Sequence, residues 1–219
     1  MSWDPVWEDV FKANEWGKYP DESFIRFTAR NFYKRERAKT KLLEVGCGPG
    51  ANVWYMAREG FDVSGIDGSA TAIAKAQGRL KGEGLAADMR VGDITCLPWG
   101  GGTFDGVGDN ECLAHNSAAA LDNILSEIKR VLKDGGLLYS RTFSDAVYKG
   151  KTFKEVAPLQ YRDSSDGPFA GRGFFRLSDA ASIRAHYGRF FHIVALDKIE
   201  YTLNNGAMTI SEWVITCQK

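Results

Sequence analysis

The stretch Leu42-Leu43-Glu44-Val45-Gly46-Cys47-Gly48-Pro49-Gly50 decides the reading of the fold. Lys41 to Gly46 is a short apolar run of the kind that forms a buried strand, and Asn52 to Glu59 carries a helical pattern straight after the glycines. Three glycines at alternate positions let the backbone bend sharply and let a ligand approach where a Cβ would stand in the way. Taken alone, this G-x-G-x-G spacing also fits dinucleotide enzymes and plain structural turns; its neighbours narrow the choice.

Outward from that turn, strands and helices alternate. Phe61–Ile66 reads as a second strand and Ser69–Lys81 as a second helix. Met89–Val91 and Phe104–Gly108 follow as strands three and four, and Gly136–Phe143 as a fifth. Between the last two, Ala118–Leu132 places Leu121, Ile124, Leu125, Ile128, Val131 and Leu132 at helical spacing. Such alternation with short connections predicts an α/β fold, a Rossmann-like and mostly parallel sheet with helices on both faces. Phe190–Tyr201 and Met208–Cys217, joined through Asn204-Asn205-Gly206, predict an antiparallel C-terminal hairpin that brings the sheet to seven strands. Ser178–Tyr187 reads as a helix with Ser178 as its N-cap. Ahead of the first strand, Glu22–Lys39 reads as a helix that buries Phe24, Phe27 and Phe32 and turns Arg30, Lys34, Arg35 and Arg37 to water. The expected organisation is a single domain over 1–219, with an N-terminal helical cap over 1–40. At 144–176 periodicity fails among four glycines and two prolines, which predicts a lid over the acceptor.

Further acids stand at the ends of the later strands. Asp67, in Ile66-Asp67-Gly68-Ser69, lies 21 residues after Gly46, where a carboxylate can take both hydroxyls of a ribose. Gly92-Asp93-Ile94 ends the third strand and Asp109-Asn110 the fourth. Together, residues 41 to 143 and the terminal hairpin resemble the class I S-adenosylmethionine-dependent methyltransferases of the small-molecule type. The resemblance implies that S-adenosylmethionine is the cofactor. It implies that the turn at Gly46, Cys47 and Gly48 lies under its methionine part, that Asp67 beside Gly68 binds the ribose, and that Asp93 and Ile94 bind the adenine. It also implies that Asp109, Asn110 and the residues up to Cys112 border the methyl group. Glu44 keeps the carboxylate that many members carry as Asp. A dinucleotide fingerprint wants G-x-G-x-x-G, whereas here Gly46, Gly48 and Gly50 are followed by Ala51, so a dehydrogenase fits less well.

On this reading the chain transfers a methyl group to a small-molecule acceptor, at oxygen or nitrogen, by in-line displacement, which asks the enzyme chiefly to align the nucleophile. The alternative is a regulatory or partner protein that binds S-adenosylmethionine without turnover. His115, just after the fourth strand, is the expected catalytic residue, as general base or as the group that orients the acceptor; Glu111 is a second candidate base. From the N-terminal cap, Trp16, Tyr19 and Arg26 are expected at the cofactor, with Arg26 pairing the methionine carboxylate. The 144–176 segment holds six basic and four acidic residues, which hints at an anionic acceptor.

The bulk numbers exclude more than they assign. Twenty-eight basic residues balance 28 acidic ones, so no global field calls for nucleic acid or an anionic membrane. No apolar run reaches the length of a membrane span, and Met1 to Pro5 lacks the basic-then-apolar order of a signal peptide, so a cytoplasmic protein is expected. Cys47, Cys96, Cys112 and Cys217 make no C-x-x-C pair and no zinc spacing with the three histidines, so no metal is expected.

Overall fold

The computed structural model describes residues 3–219; Met1 and Ser2, the start of the expected N-terminal cap, lie outside the described residues. Two helices come first, α1 (Val6–Ala13) and α2 (Glu22–Phe32). The Asp21 carboxylate accepts from the Ser23 and Phe24 amides and so caps α2, whose apolar face buries Phe24, Phe27 and Phe32. The helix ends at Phe32 instead of running to Lys39, and Arg37–Lys39 form only a 3₁₀ turn. The cause is packing: between Tyr33 and Leu42 the chain offers only Ala38 to a core, and tertiary burial supplies most helical stability.

The central elements are β1 (Lys41–Val45), α3 (Ala51–Arg58), β2 (Asp62–Asp67), α4 (Ala70–Gly82), β3 (Asp88–Val91), β4 (Phe104–Asn110), α5 (Ala118–Val131) and β5 (Leu132–Phe143). They are followed by β6 (Lys154–Ala157), β7 (Gln160–Arg162), β8 (Phe175–Arg176), α6 (Ala180–Tyr187), β9 (His192–Leu203) and β10 (Met208–Gln218). The main sheet has seven strands in the order β3-β2-β1-β4-β5-β10-β9. β1 to β5 pair in parallel, and β10 alone runs against its two neighbours. The hairpin turn is as expected: Asn204, Asn205 and Gly206 all take positive φ.

Successive residues of β1 serve opposite faces, as a strand requires. Leu43 and Val45 join α5 and α6, where Leu121, Ile124, Leu125, Ile128 and Val131 are fully buried. Each such side chain contributes roughly 1.5–3 kcal/mol. Leu42, Val63 and Tyr139 join α2, α3 and α4 on the other side. The N-cap of α6 is Asp179, not Ser178: the Asp179 carboxylate accepts from the Ser182 amide and Ser182 Oγ returns the bond. Ser178 is occupied elsewhere, since its hydroxyl accepts from Arg176 and its carbonyl from the Trp213 indole.

The 144–176 segment has an architecture of its own. β6, β7 and β8 form a second, three-stranded sheet over a cluster that includes Phe143, Val147, Phe169 and Phe175, with the last two rings stacked 3.9 Å apart. Strands of two to four residues are too short to show a period-two pattern, which is why the segment reads as aperiodic.

Candidate active site

The carboxyl ends of β1 to β4 open into one cavity of about 200 Å³. Its floor is the glycine turn. Gly46 takes φ +62, and a Cβ there would lie 2.1 Å from Cys112 Sγ, so the turn and the loop after β4 touch backbone to side chain. The Cys47 amide donates to the Ile66 carbonyl and the Gly50 amide to the Cys47 carbonyl, which hands the chain into α3.

Asp67 ties the end of β2 to that turn. Its two oxygens accept from the Gly48 and Ser69 amides, both at 2.8 Å. Burial raises the carboxyl's pKa while these bonds oppose the rise. Asp93 is organised locally, its Oδ1 accepting from the Thr95 amide and hydroxyl. Gly68 has no Cβ because the Trp3 indole lies against it: an added Cβ would sit 2.5 Å from that ring. Glu44 is buried and accepts from Asn52 Nδ2 at 2.6 Å; burial pushes its carboxyl far above the usual range. Asn52 Oδ1 and Asn110 Oδ1 are buried without a hydrogen-bond partner, although both residues line the cavity. Orphaned oxygens of this kind are the mark of a polar ligand that would donate to them.

The roof comes from α1. Glu8 accepts from the Ser69 and Thr71 hydroxyls, which hold its carboxyl down to about 2, and Lys75 Nζ donates to the Phe11 carbonyl. This fastening sets Trp3, Trp7 and Phe11 over the cavity. Asp4 reaches across to the second sheet, accepting from Arg162 at 2.6 Å and from the Phe174 amide at 3.4 Å.

His115 lines the cavity and is 8% exposed. Its Nδ1 is 2.8 Å from the Phe174 carbonyl, and a carbonyl only accepts, so Nδ1 carries the proton and Nε2 is left as an acceptor. Burial lowers its pKa to about 4, which keeps the ring neutral at pH 7. The Trp7 ring meets it edge-on at 4.6 Å. Beside it, Glu111 also faces the cavity in a left-handed conformation, φ +69, which costs a non-glycine residue roughly 1–2 kcal/mol.

Of the residues expected from sequence, Gly46, Cys47, Gly48, Asp67, Gly68, Asp93, Ile94, Asn110 and His115 all line this cavity, as does Trp16, packed against Trp7 and Phe11. Tyr19 stands at the rim, 75% exposed, with its ring edge-on to Trp54. Two do not reach the cavity. Arg26 lies on the exposed side of α2, paired one turn back with Glu22, because the buried face of that helix is taken by the phenylalanines. Asp109 is fully buried behind the wall, accepting from the Leu113 amide at 3.0 Å and Ser140 Oγ at 2.6 Å; it fixes the loop after β4. Sequence reading missed Trp3, Asp4, Trp7 and Phe11. The i, i+4 spacing of Trp7 and Phe11 behind Asp4-Pro5 was a usable helical signal, whereas nothing local announces the reach of Asp4 to Arg162.

Acidic side chains outnumber basic ones in the lining of the cavity. Asp4, Asp21, Glu44, Asp67, Asp93 and Glu111 line the cavity against a single cation, Arg172. Of the other basic residues in 144–176, Arg162 pairs with Asp4, Arg176 donates to the Leu113 and Asn116 carbonyls, and Lys149 lies over the Phe153 and Tyr161 rings. Lys151 and Lys154 are exposed.

Residues 42–136 match the model of a family described as a methyltransferase domain. Over 201 residues the chain is 29% identical to Methyltransferase GfsG of Streptomyces halstedii, covering 85% of this chain and 66% of that protein. Other curated relatives that it matches are spanned over 32–44% of their length. Its fold resembles that of an S-adenosylmethionine-dependent methyltransferase from Methanosarcina mazei, with TM-score 0.74 and 20% identity over 92% of this chain and 98% of that one. It also resembles 1,6-didemethyltoxoflavin-N1-methyltransferase of Burkholderia thailandensis, a structure with bound 1,6-didemethyltoxoflavin and S-adenosylhomocysteine, with TM-score 0.64 and 18% identity over 98% and 87% of the two chains. Among the described residues no helix is long and apolar enough to cross a membrane, and no group of three or more His, Cys, Asp or Glu could hold a metal ion.

Proposed function

We propose that the chain is a class I S-adenosylmethionine-dependent methyltransferase that transfers a methyl group to the oxygen or nitrogen of a small molecule seated between His115, Glu111 and the α1 roof. When bound, S-adenosylmethionine supplies a methyl group already activated on a sulfonium. The residues present fit it. Asp67 retains free lone pairs for two ribose hydroxyls beside the amides it already holds, and Asp93 with Ile94 takes the adenine. The glycine turn gives close backbone approach to the methionine part, where Glu44 and the orphaned oxygens of Asn52 and Asn110 can receive its ammonium group.

At the acceptor, His115 Nε2 accepts a hydrogen bond from the reacting hydroxyl or amine and aims its lone pair at the methyl group. Its low basicity suits orientation better than proton removal. Trp7 and Trp16 exclude water, and the β6–β8 insertion completes the lid through Asp4 and the Phe174 peptide.

The observation that carries the reading is the pairing of Asp67 with the glycine turn beside two buried, partnerless oxygens. Incubation with donor labelled in its methyl group and the small-molecule fraction of a cell extract tests it. Label is expected in a small product. Tight donor binding with no transferred label would instead identify a binding protein without turnover.

A further inference from the structure

Arg141 on β5 sits among three carboxyl groups. Its Nη1 is 3.1 Å from Asp21, its Nη2 pairs with Glu212, and its Nε lies 3.9 Å from Glu111 Oε1, too far to bond. That Nε has no hydrogen-bond partner. Glu212, on β10, is 1% exposed, and Arg141 brings it and Glu111 together, one at Nη2 and the other nearest Nε. Two carboxyl groups can bond to each other only with a proton between them, because an ionised carboxylate solely accepts. Arg172 of the insertion and Tyr201 of β9 are the other titratable groups whose charge bears on this cluster. The Glu111 amide donates to the Arg141 carbonyl at 2.9 Å, which holds the left-handed backbone and points the side chain into the cavity.

The arrangement suits one task that His115 performs poorly. A proton arriving on Glu111 finds an acceptor, Glu212, already in place, whereas at His115 burial and the Arg172 and Arg176 guanidiniums outweigh the Phe174 carbonyl and the Asp4 charge that would favour a protonated ring. Resting on the methyltransferase reading, we propose that Glu111 takes the acceptor's proton during transfer, with Glu212 and Arg141 as its positioning residues. As the acceptor's lone pair forms the new bond to the methyl carbon, the S–CH₃ bond breaks and leaves its electron pair on sulfur. The proton passes from the acceptor to the Glu111 carboxylate, which then donates it to Glu212. Burial, and next the Glu212 charge, push the Glu111 carboxyl up to about 8, so the competent ionised form gains with rising pH.

Label transfer to the extract fraction, measured from pH 6 to 9.5, is expected to rise through a limb near 8 in the wild type. Glu111→Gln should lower the rate about 10²–10⁴-fold and abolish the limb while leaving donor affinity within a few-fold. Glu212→Gln removes the like charge and should move the limb to lower pH by about one unit or more. An infrared titration of the wild type reads the pair without any acceptor: a carboxylic-acid band should vanish near pH 8, and Glu111→Gln should lack it. A Glu111→Gln enzyme that keeps its rate and limb, a Glu212→Gln enzyme that slows with the limb unmoved, or no such band would overturn the assignment. Wild-type protein that binds donor and transfers nothing overturns the transferase reading, and the infrared titration tells that failure from this one.

Discussion

The two sides of the cavity are built differently. The side we assign to the cofactor consists of three tight turns, Gly46–Gly50, Asp67–Ser69 and Asp93–Thr95, each closed by hydrogen bonds between near neighbours or adjacent strands. The side we assign to the acceptor joins residues far apart in sequence, Asp4 to Arg162 and Phe174, His115 to Phe174, and Arg141 to Asp21 and Glu212. The first is rigid because backbone geometry makes it so. The second is held by side-chain contacts across elements, so single changes there should alter its specificity and chemistry before they unfold the chain.

The sharpest way to break this contrast is Gly46→Ala. An added methyl would meet Cys112 Sγ at 2.1 Å in a backbone region that disfavours side chains, a cost of about 2–4 kcal/mol. A melting temperature lower by roughly 5–15 °C is expected, and Cys112→Ala should not restore it, because the Cβ of residue 112 itself stands 2.2 Å from the added methyl. An unchanged melt would show that the turn is not rigid.

Next in size is the acid limb of stability. The His115 pKa falls from its ordinary value to about 4 in the folded chain, so between about 6.5 and 4 the unfolded chain binds a proton that the folded one refuses. Stability therefore drops as pH falls through that window, by up to about 3 kcal/mol from this residue. His115→Gln should flatten that part of the profile in denaturant titrations. An equal slope in both proteins would place the histidine in a more open environment.

Asp4→Asn should cost less than about 1 kcal/mol, since Arg162 is half exposed. Steady-state kinetics should show a raised acceptor KM with donor affinity within about twofold; the reverse split would assign Asp4 to the cofactor side. Arg26→Ala should do least, within about 0.5 kcal/mol in stability and without effect on donor binding measured by calorimetry. A clear loss of binding would return Arg26 to the site.

The same contrast explains what was legible in the sequence. Asp67 and Asp93 could be placed because a strand, a turn and a helix are local patterns, and the helical period of Leu121 to Val131 predicted α5 in full. Arg26 was misplaced because a basic residue on a helix says nothing of which face turns inward. Asp109 was misplaced because the end of a strand offers one side chain to the cavity and the next to the core, and Asn110 took the cavity. The α1 roof, the β6–β8 sheet and the gathering of Glu111 and Glu212 around Arg141 depend on approaches between distant residues, and a single sequence holds no periodicity that reports them.

Titration calorimetry with S-adenosylmethionine and S-adenosylhomocysteine, on folded wild-type protein and on Asp67→Asn, tests the central claim most directly. Both compounds should bind the wild type at one site, and the variant should bind about 10–100-fold more weakly, because a charge-assisted hydrogen bond contributes roughly 1.5–3 kcal/mol. No heat from the wild type, or undiminished affinity in the variant, would contradict the assignment of this cavity to the methyl donor.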